Sequence, residues 1–178
     1  MAAADLADHA RGALLGCALG DAIGEVAFAA PDPSALWATI ETSEQLAYTD
    51  DTAMSVAVAR ELVEHAGALD ADALGGRFHT AFAAEPWRGY GPGPPKIFQT
   101  ARHRGRPYAE IAARLHGGQG SLGNGAAMRV APVGVAARHR ADLDELAAIS
   151  SRPTHAHAIG REAALLQART VAAGRARG

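Results

Sequence analysis

Cysteine and lysine are almost absent from this chain of 178 residues, in which Cys17 is the only cysteine and Lys96 the only lysine. A single thiol cannot form a disulfide within the chain, so packing and hydrogen bonds must hold the fold together. Nothing in the composition points to an oxidising compartment. The cytoplasm is therefore the predicted location.

A strong charge of either sign is also missing. The chain has 17 Lys and Arg residues against 19 Asp and Glu residues, which gives a formal net charge of -2. This balance gives no reason to expect nucleic acid or an anionic membrane as a partner. The apolar run from Ala13 to Leu19 is too short and wrongly flanked for a signal peptide or a membrane span. We predict no nucleic-acid partner and no membrane partner.

Alternating strand-like runs are absent, whereas apolar residues recur at spacings of three and four. This pattern predicts an all-α fold, a compact multi-helix orthogonal bundle formed by a single domain over residues 1–178. Asp70 is the predicted cap of one helix, which Pro86 closes, and the Gly20 to Gly24 segment is a predicted turn that ends the first helix. The other predicted helices cover residues 5–20, 52–65, 97–103, 108–116 and 126–135, with further helices capped by Asp142 and by Thr154.

The segment Thr49-Asp50-Asp51-Thr52 places two adjacent carboxylates between two hydroxyls at a predicted helix start. Adjacent anions repel each other in a dry environment, by roughly 4 kcal/mol at about 4 Å and an effective dielectric constant of about 20. A hard divalent cation such as Mg²⁺ would relieve that repulsion, because it prefers carboxylate, hydroxyl and water ligands. The alternative is that both aspartates only favour the positive end of the helix dipole, with Thr49 or Thr52 as the cap.

Two glycine-rich segments, residues 88–95 and 117–125, are predicted loops. Glycine lets the backbone approach a ligand closely and point its amide groups at an anion such as phosphate. An ordinary interhelical connection is the alternative for the first segment, and a ligand-facing loop is favoured for the second. His155 and His157 have a spacing that does not place both rings on one helical face, so a chelating pair is not expected and His155 reads as a capping or surface residue.

Five motifs occur in a fixed order along the chain and together resemble the ADP-ribosylglycohydrolase family, also called ADP-ribosyl-acceptor hydrolases. The wording of the second and third motifs is most similar to the serine-directed branch of that family. The motifs are Gly20-Asp21-Ala22-Ile23-Gly24, Tyr48-Thr49-Asp50-Asp51-Thr52-Ala53-Met54, Arg88-Gly89-Tyr90-Gly91, Gly123-Asn124-Gly125-Ala126-Ala127-Met128-Arg129 and Thr154-His155.

The resemblance implies an all-α fold with a central cleft that holds two Mg²⁺ ions and an ADP-ribose unit. The partner would be an ADP-ribosylated protein or a small molecule containing ADP-ribose. Thr49, Asp50 and Asp51 would be the metal ligands, and Asp50 and Asp51 the catalytic residues. The implied substrate-binding residues are Gly89, Gly93, Gly120, Ser121, Gly123, Asn124, Gly125 and His155.

Three departures from the family pattern leave two functions open, and one of them is Leu122, where relatives often show an aromatic residue. Family members run further and bring an Asp-x-Asp-Ser/Thr motif, so we expect a domain that is incomplete at its C-terminus. Phe28 stands where active relatives usually carry a glutamate, and Glu25 is out of register with that position. The chain is therefore expected to be a Mg²⁺-dependent hydrolase of the bond between ADP-ribose and its acceptor. The alternative is a catalytically inactive relative that binds ADP-ribose or serves only as a helical scaffold.

Overall fold

The structure is a computed structural model that describes residues 3–137 and 139–175. Within those ranges it consists of helices joined by turns and loops, without a strand, which confirms the predicted all-α multi-helix bundle. A short 3₁₀ turn covers Asn124–Ala126. The α-helices are α1 (Ala3–Ala29), α2 (Pro33–Thr42), α3 (Asp50–Glu64), α4 (Ala71–Ala84), α5 (Gly93–Arg104), α6 (Tyr108–Ala113), α7 (Leu115–Gly118), α8 (Ala131–Ala136), α9 (Arg140–Ser151) and α10 (Ala158–Arg175).

Helix α3 lies at the centre of the fold, where it packs against α1, α4 and α8. It begins at Asp50 because Thr49 has an extended backbone and its hydroxyl accepts the amide of Asp51. The predicted apolar face of Met54, Val58 and Leu62 is buried as expected. The bundle therefore fixes the start of α3, which carries the predicted metal ligands.

One apolar core joins α3 to the helices around it. Leu74 and Phe78 of α4 pack with Ile97 and Phe98 of α5, and none of the four side chains is exposed. Full burial of such a side chain stabilises the fold by roughly 1.5 to 3 kcal/mol. The predicted cap at Asp70 is confirmed, since its carboxylate accepts two amides of the first turn of α4. This core supports the two glycine-rich segments at its edge.

The predicted turn from Gly20 to Gly24 is wrong, because α1 continues through both glycines to Ala29. Glycine inside a helix costs only about 1 kcal/mol relative to alanine, and the packing of α1 on α3 and α8 outweighs that cost. Helix α2 was not predicted, although its signal is present. Asp32 caps it and Pro33 occupies its first turn, an arrangement that favours a helix start.

The continuity of α1 also corrects the estimate of its apolar length. Residues Asp5–Ala29 form a helix long and apolar enough to cross a membrane by length and composition, with a mean hydropathy of 1.4 and 6% of the window buried. The argument that the run from Ala13 to Leu19 is too short is therefore wrong about the length. One such helix near the N-terminus is weak evidence for a span, since a signal sequence or a buried core helix of a soluble protein meets the same criteria. The absence of a membrane partner stays a prediction.

Two helices begin at residues other than those predicted, and each has proline in its first turn. Helix α5 begins at Gly93, inside the predicted loop of residues 88–95, with its two prolines in the first turn. The predicted helix over residues 126–135 is shorter, because α8 begins at Ala131 with Pro132 in its first turn. A proline in the first turn lacks only an amide that would have no partner in the helix.

Both late caps were predicted at the wrong residue. Helix α9 starts at Arg140 after His139, so Asp142 lies in its first turn and is not its cap. Helix α10 starts at Ala158 rather than after Thr154. Thr154 is only 1% exposed and instead lies in the turn between these helices. That turn brings Thr154 and His155 into the interior.

Candidate active site

Asp21 of α1 holds the start of α3 through four hydrogen bonds. Its carboxylate accepts the amide of Thr49 at 2.8 Å, the hydroxyl of Thr49 at 2.6 Å, the amide of Thr52 at 3.0 Å and the hydroxyl of Thr52 at 2.6 Å. Burial acts to raise the pKa of Asp21, but these four hydrogen bonds outweigh it, so the pKa is lowered. Asp21 is the negative group that neutralises the N-terminus of α3.

Asp50 and Asp51 are half-buried beside Asp21 and have less compensation. Burial and the neighbouring charge of Asp51 raise the pKa of Asp50 to about 6, against the opposing effects of its backbone and of Arg129. Burial and the charge of Asp21 raise the pKa of Asp51 as well. Because Asp21 already satisfies the first turn, the helix dipole alone does not explain two further aspartates here.

The first glycine-rich loop lies against this pair. The carbonyl of Arg88 accepts the amide of Asp50 at 2.6 Å. Gly89 has a φ of 78°, and a Cβ atom there would lie 3.7 Å from Cβ of Thr49 and 3.9 Å from Oδ1 of Asp50. A side chain at position 89 would therefore be strained and would face the carboxylate. The structure thus brings the predicted Gly89 to Asp50.

Gly93 is placed differently from Gly89. It is the first residue of α5, and a Cβ atom there would lie 3.6 Å from a methyl group of Leu115. Its nearest neighbour is thus an apolar side chain rather than Asp50 or His155. The role of Gly93 in substrate binding stays a prediction.

The second glycine-rich loop gathers around His155. A Cβ atom on Gly125 would lie 2.9 Å from Cε1 of the imidazole, and one on Gly123 would lie 3.9 Å from Nε2. The hydroxyl of Ser121 accepts the amide of Gly123 at 3.3 Å. The carbonyl of Asn124 accepts the amides of residues 127 and 128, which fixes the 3₁₀ turn. Gly123 and Gly125 of the predicted set therefore lie beside His155.

His155 is 5% exposed, so its interpretation as a capping or surface residue is wrong. Burial and the positive charge of Arg129 lower its pKa to about 4, against the opposing effect of a hydrogen bond to the backbone of Gly123. The ring is therefore neutral at physiological pH. A neutral imidazole can donate one hydrogen bond and accept another.

Gly120 makes the closest backbone approach in this loop. Its φ is 75°, and a Cβ atom there would lie 2.6 Å from Cβ of Ala156 and 2.7 Å from the amide nitrogen of His157. Gly120→Ala is expected to lower the free energy of unfolding by about 2 to 3 kcal/mol, through left-handed backbone strain and a clash with backbone atoms. Urea denaturation followed by circular dichroism measures this change.

Gly118→Ala is the matched control for Gly120→Ala. Gly118 also has a positive φ, of 90°, but a Cβ atom there would meet nothing within 4 Å. Its expected loss is only about 1 kcal/mol, from backbone strain alone. Equal losses in the two variants would show that the contact with residues 156 and 157 is unimportant.

Arg129 links the two parts of the site and was not among the predicted site residues. It has no exposed surface, and its charge acts on both Asp50 and His155. The sequence gives one signal, since Arg129 closes the fourth motif, but an arginine in a sequence reads as a surface residue. Only the tertiary structure places it in the interior.

The oxygen atoms at the start of α3 that could coordinate a metal suit a hard cation, but they are few. Both oxygens of Asp21 accept hydrogen bonds, and the Thr49 hydroxyl accepts the amide of Asp51, so Asp50, Asp51 and one lone pair of Thr49 remain available. Across residues 3–137 and 139–175, no group of three or more His, Cys, Asp or Glu side chains is arranged to hold a metal ion. Mg²⁺ takes six oxygen ligands in near-octahedral geometry. These residues therefore fit part of a Mg²⁺ site, with water or further ligands needed to fill it.

Fold and site together define a helical protein that places two uncompensated carboxylates beside a glycine-rich loop. The model of the ADP-ribosylglycohydrolase family matches residues 2–178. The chain is 35% identical over 178 residues to human ADP-ribosylhydrolase ARH3, a match that covers 90% of this chain and 48% of that protein. It is 31% identical over 179 residues to the ADP-ribosyl-dinitrogen reductase glycohydrolase of Rhodospirillum rubrum, covering 92% of this chain and 57% of the relative.

The chain thus belongs to the ADP-ribosylglycohydrolase family, as its five motifs predicted. It also resembles the uncharacterized protein YegU of Escherichia coli, with 31% identity over 172 residues, 81% of this chain and 47% of YegU. The chain spans about half the length of the curated relatives it matches. The incompleteness of the domain at its C-terminus stays a prediction.

Proposed function

We propose that this chain takes part in the Mg²⁺-dependent hydrolysis of the glycosidic bond that links ADP-ribose to a protein side chain or a related acceptor. The observation that carries the proposal is the Asp50 and Asp51 pair at the start of α3. Its carboxylates are half-buried and repel each other, and the pKa of Asp50 is raised to about 6. The names of the relatives support the chemistry, because they describe an ADP-ribosylhydrolase and a glycohydrolase of an ADP-ribosylated protein.

Thr49, Asp50 and Asp51 would hold Mg²⁺. When bound, the ion would supply positive charge that orients ribose hydroxyls and water and stabilises developing negative charge. Gly89 leaves room beside Asp50 for the ligand, because no side chain stands there. The amides of the loop from Gly120 to Gly125 would face the diphosphate, an arrangement that suits an anion.

A carboxylate of the chain can accept the proton of the attacking water. At neutral pH Asp50 is ionised in the larger fraction of molecules even without a metal ion, because its pKa of about 6 in the metal-free protein lies below that pH. An ionised carboxylate near neutrality is a suitable general base. The water oxygen would bond to the anomeric carbon of the ribose as the bond from that carbon to the acceptor breaks. Asp50 or Asp51 would take the proton of the water, and the departing acceptor atom would take a proton from the solvent.

The second candidate function is binding of ADP-ribose without turnover. Phe28 favours it, because this residue lies on α1 at the position where the family glutamate is expected, and its side chain is 93% exposed. Glu25 lies one helical turn after Asp21 on α1 and is exposed as well. An acid that protonates the leaving group is therefore not evident near position 28.

The experiment incubates the chain with serine-linked and arginine-linked ADP-ribosyl peptides and measures the release of free ADP-ribose. Release in Mg²⁺ that stops in EDTA, and that is lost in the double variant Asp50→Asn and Asp51→Asn, is the expected result. The matched control is Glu41→Gln, which removes an exposed carboxylate on α2. Binding of ADP-ribose by calorimetry without release would favour the second function, and neither binding nor release would overturn both.

A further inference from the structure

Arg129 is a fully buried cation, and one of its nitrogens, Nη2, is directed at the turn that carries Thr154. Its Nη2 atom donates to the carbonyl of Ser150 at 2.7 Å and to the hydroxyl of Thr154 at 2.8 Å. Its guanidinium carbon lies 4.4 Å from the ring centre of Phe78. Apolar residues often replace a buried charge without loss of stability, so packing alone does not account for an arginine here.

The hydroxyl of Thr154 connects Arg129 to His155 through a second hydrogen bond. A guanidinium has only donors, so the Thr154 oxygen is the acceptor of the Arg129 bond. The single hydroxyl proton is then free to point at Nδ1 of His155, which lies 2.8 Å away. Nδ1 is thus an acceptor, and the hydrogen of the neutral ring is on Nε2.

The imidazole in turn occupies the space that the glycine turn leaves. Gly125 comes so close that a Cβ atom would lie 2.9 Å from Cε1 and 3.4 Å from Nε2. His155 also has a hydrogen bond to the backbone of Gly123, and the Nε2 hydrogen suits its carbonyl. On the opposite side, a Cβ atom on Gly160 of α10 would lie 3.2 Å from Cδ2. The ring is clamped between α10 and the turn.

We propose that Arg129 and Thr154 are positioning residues, which act through one tautomer of His155 to hold the Gly123 to Gly125 turn in the shape that receives ADP-ribose. The proposal deepens the proposed function and rests on it for the identity of the ligand. Arg129 lies four residues after Gly125 in the chain, and its charge also acts on Asp50. One cation therefore stabilises the carboxylate side and the glycine side of the site together.

Thr154→Val tests the relay with little change in shape, and Thr154→Ser is the matched control that keeps the hydroxyl. Nitrogen-15 NMR of the His155 ring in the full chain reports the tautomer, and the amide resonances of Gly123 and Gly125 report the turn. Calorimetry with ADP-ribose reports binding. We expect one tautomer with hydrogen on Nε2 in the wild type and in Thr154→Ser, and a mixture in Thr154→Val with shifted glycine amides. Loss of one hydrogen bond to the ring is expected to weaken ADP-ribose binding roughly tenfold in Thr154→Val.

The wild-type tautomer and unchanged glycine amides in Thr154→Val would overturn the relay. A changed tautomer with unchanged ADP-ribose affinity would overturn its positioning role. If the wild type does not bind ADP-ribose at all, the proposed function fails. The ring and amide resonances would then still decide whether Thr154 holds the turn, because neither measurement needs a ligand.

Discussion

Replacement of Asp21 by alanine is expected to lower the free energy of unfolding by roughly 2 to 4 kcal/mol at neutral pH. The variant loses four hydrogen bonds from Thr49 and Thr52 and leaves those donors at a half-buried helix start. It also removes the contact that sets the position of Asp50 and Asp51 relative to α1. Mg²⁺ binding is therefore expected to be lost together with stability. Urea denaturation and magnesium calorimetry measure the two effects.

The pH dependence separates this role from a loss of general packing. The pKa of Asp21 is lowered in the folded state, so its contribution to stability is present above the unfolded pKa and is lost as the pH falls through the folded pKa. The difference between Asp21→Ala and the wild type should thus be largest at neutral pH and should shrink in acid. A difference that stays constant with pH would contradict the assigned role.

Asp32→Ala is the matched control for Asp21→Ala. Asp32 also caps a helix, but its exposed carboxylate accepts only the amide of Ala35, at 2.9 Å. A loss of about 0.5 to 1 kcal/mol is expected, with no effect on Mg²⁺ binding. An equal loss in the two variants would mean that Asp21 is an ordinary cap.

The sequence predicts helices well where local signals and tertiary packing agree. Asp70 caps α4 as expected, and Thr49, one of two candidates, caps α3. The four-residue spacing of Met54, Val58 and Leu62 marks a face that is buried. The prediction fails at Gly20 and Gly24, where glycine indicates a break but the packing of α1 keeps the helix intact. Local propensity is a weak prior that tertiary contacts override.

The sequence likewise predicted some residues of the candidate site and missed others. Asp50, Gly89 and Gly125 were named from motifs, and the structure places Gly89 at Asp50 and Gly125 at His155. Asp21 and Arg129 were missed as site residues because their roles depend on partners 28 to 31 and 21 to 25 residues away in the chain. Sequence spacing does not reveal such pairs. Asp21 lies in the first of the five motifs and Arg129 in the fourth, and this position was the signal that could have identified them.

Asp50→Asn is expected to weaken Mg²⁺ binding at least about tenfold while it stabilises the metal-free protein by about 1 kcal/mol. The amide removes one anionic ligand and also removes the repulsion from Asp51 and Asp21. Solvent screens these half-buried charges, so the gain is smaller than their separation in a dry interior would give. Magnesium calorimetry and thermal unfolding in EDTA measure the two opposite effects.

The sign of the pH effect follows from the direction of the shift. Burial and the charge of Asp51 raise the pKa of Asp50 from 3.8 to about 6, so the folded state binds this proton more tightly than the unfolded state. The contribution of Asp50 to the free energy of unfolding of the metal-free wild type should therefore fall as the pH rises from about 3.8 to about 6, and should level off above that range. Asp50→Asn should lack this decrease, and Mg²⁺ should reverse it in the wild type because binding favours the folded state.

Glu41→Gln serves as the control, since this exposed carboxylate on α2 is outside the cluster and should change neither the pH profile nor Mg²⁺ binding. Opposite changes in stability and metal affinity would identify Asp50 as a residue that binds Mg²⁺ although it destabilises the metal-free protein. An Asp50→Asn protein that is less stable than the wild type in EDTA would mean that the carboxylate is structural. In that case the repulsion at the start of α3 could not be the reason that a cation binds there.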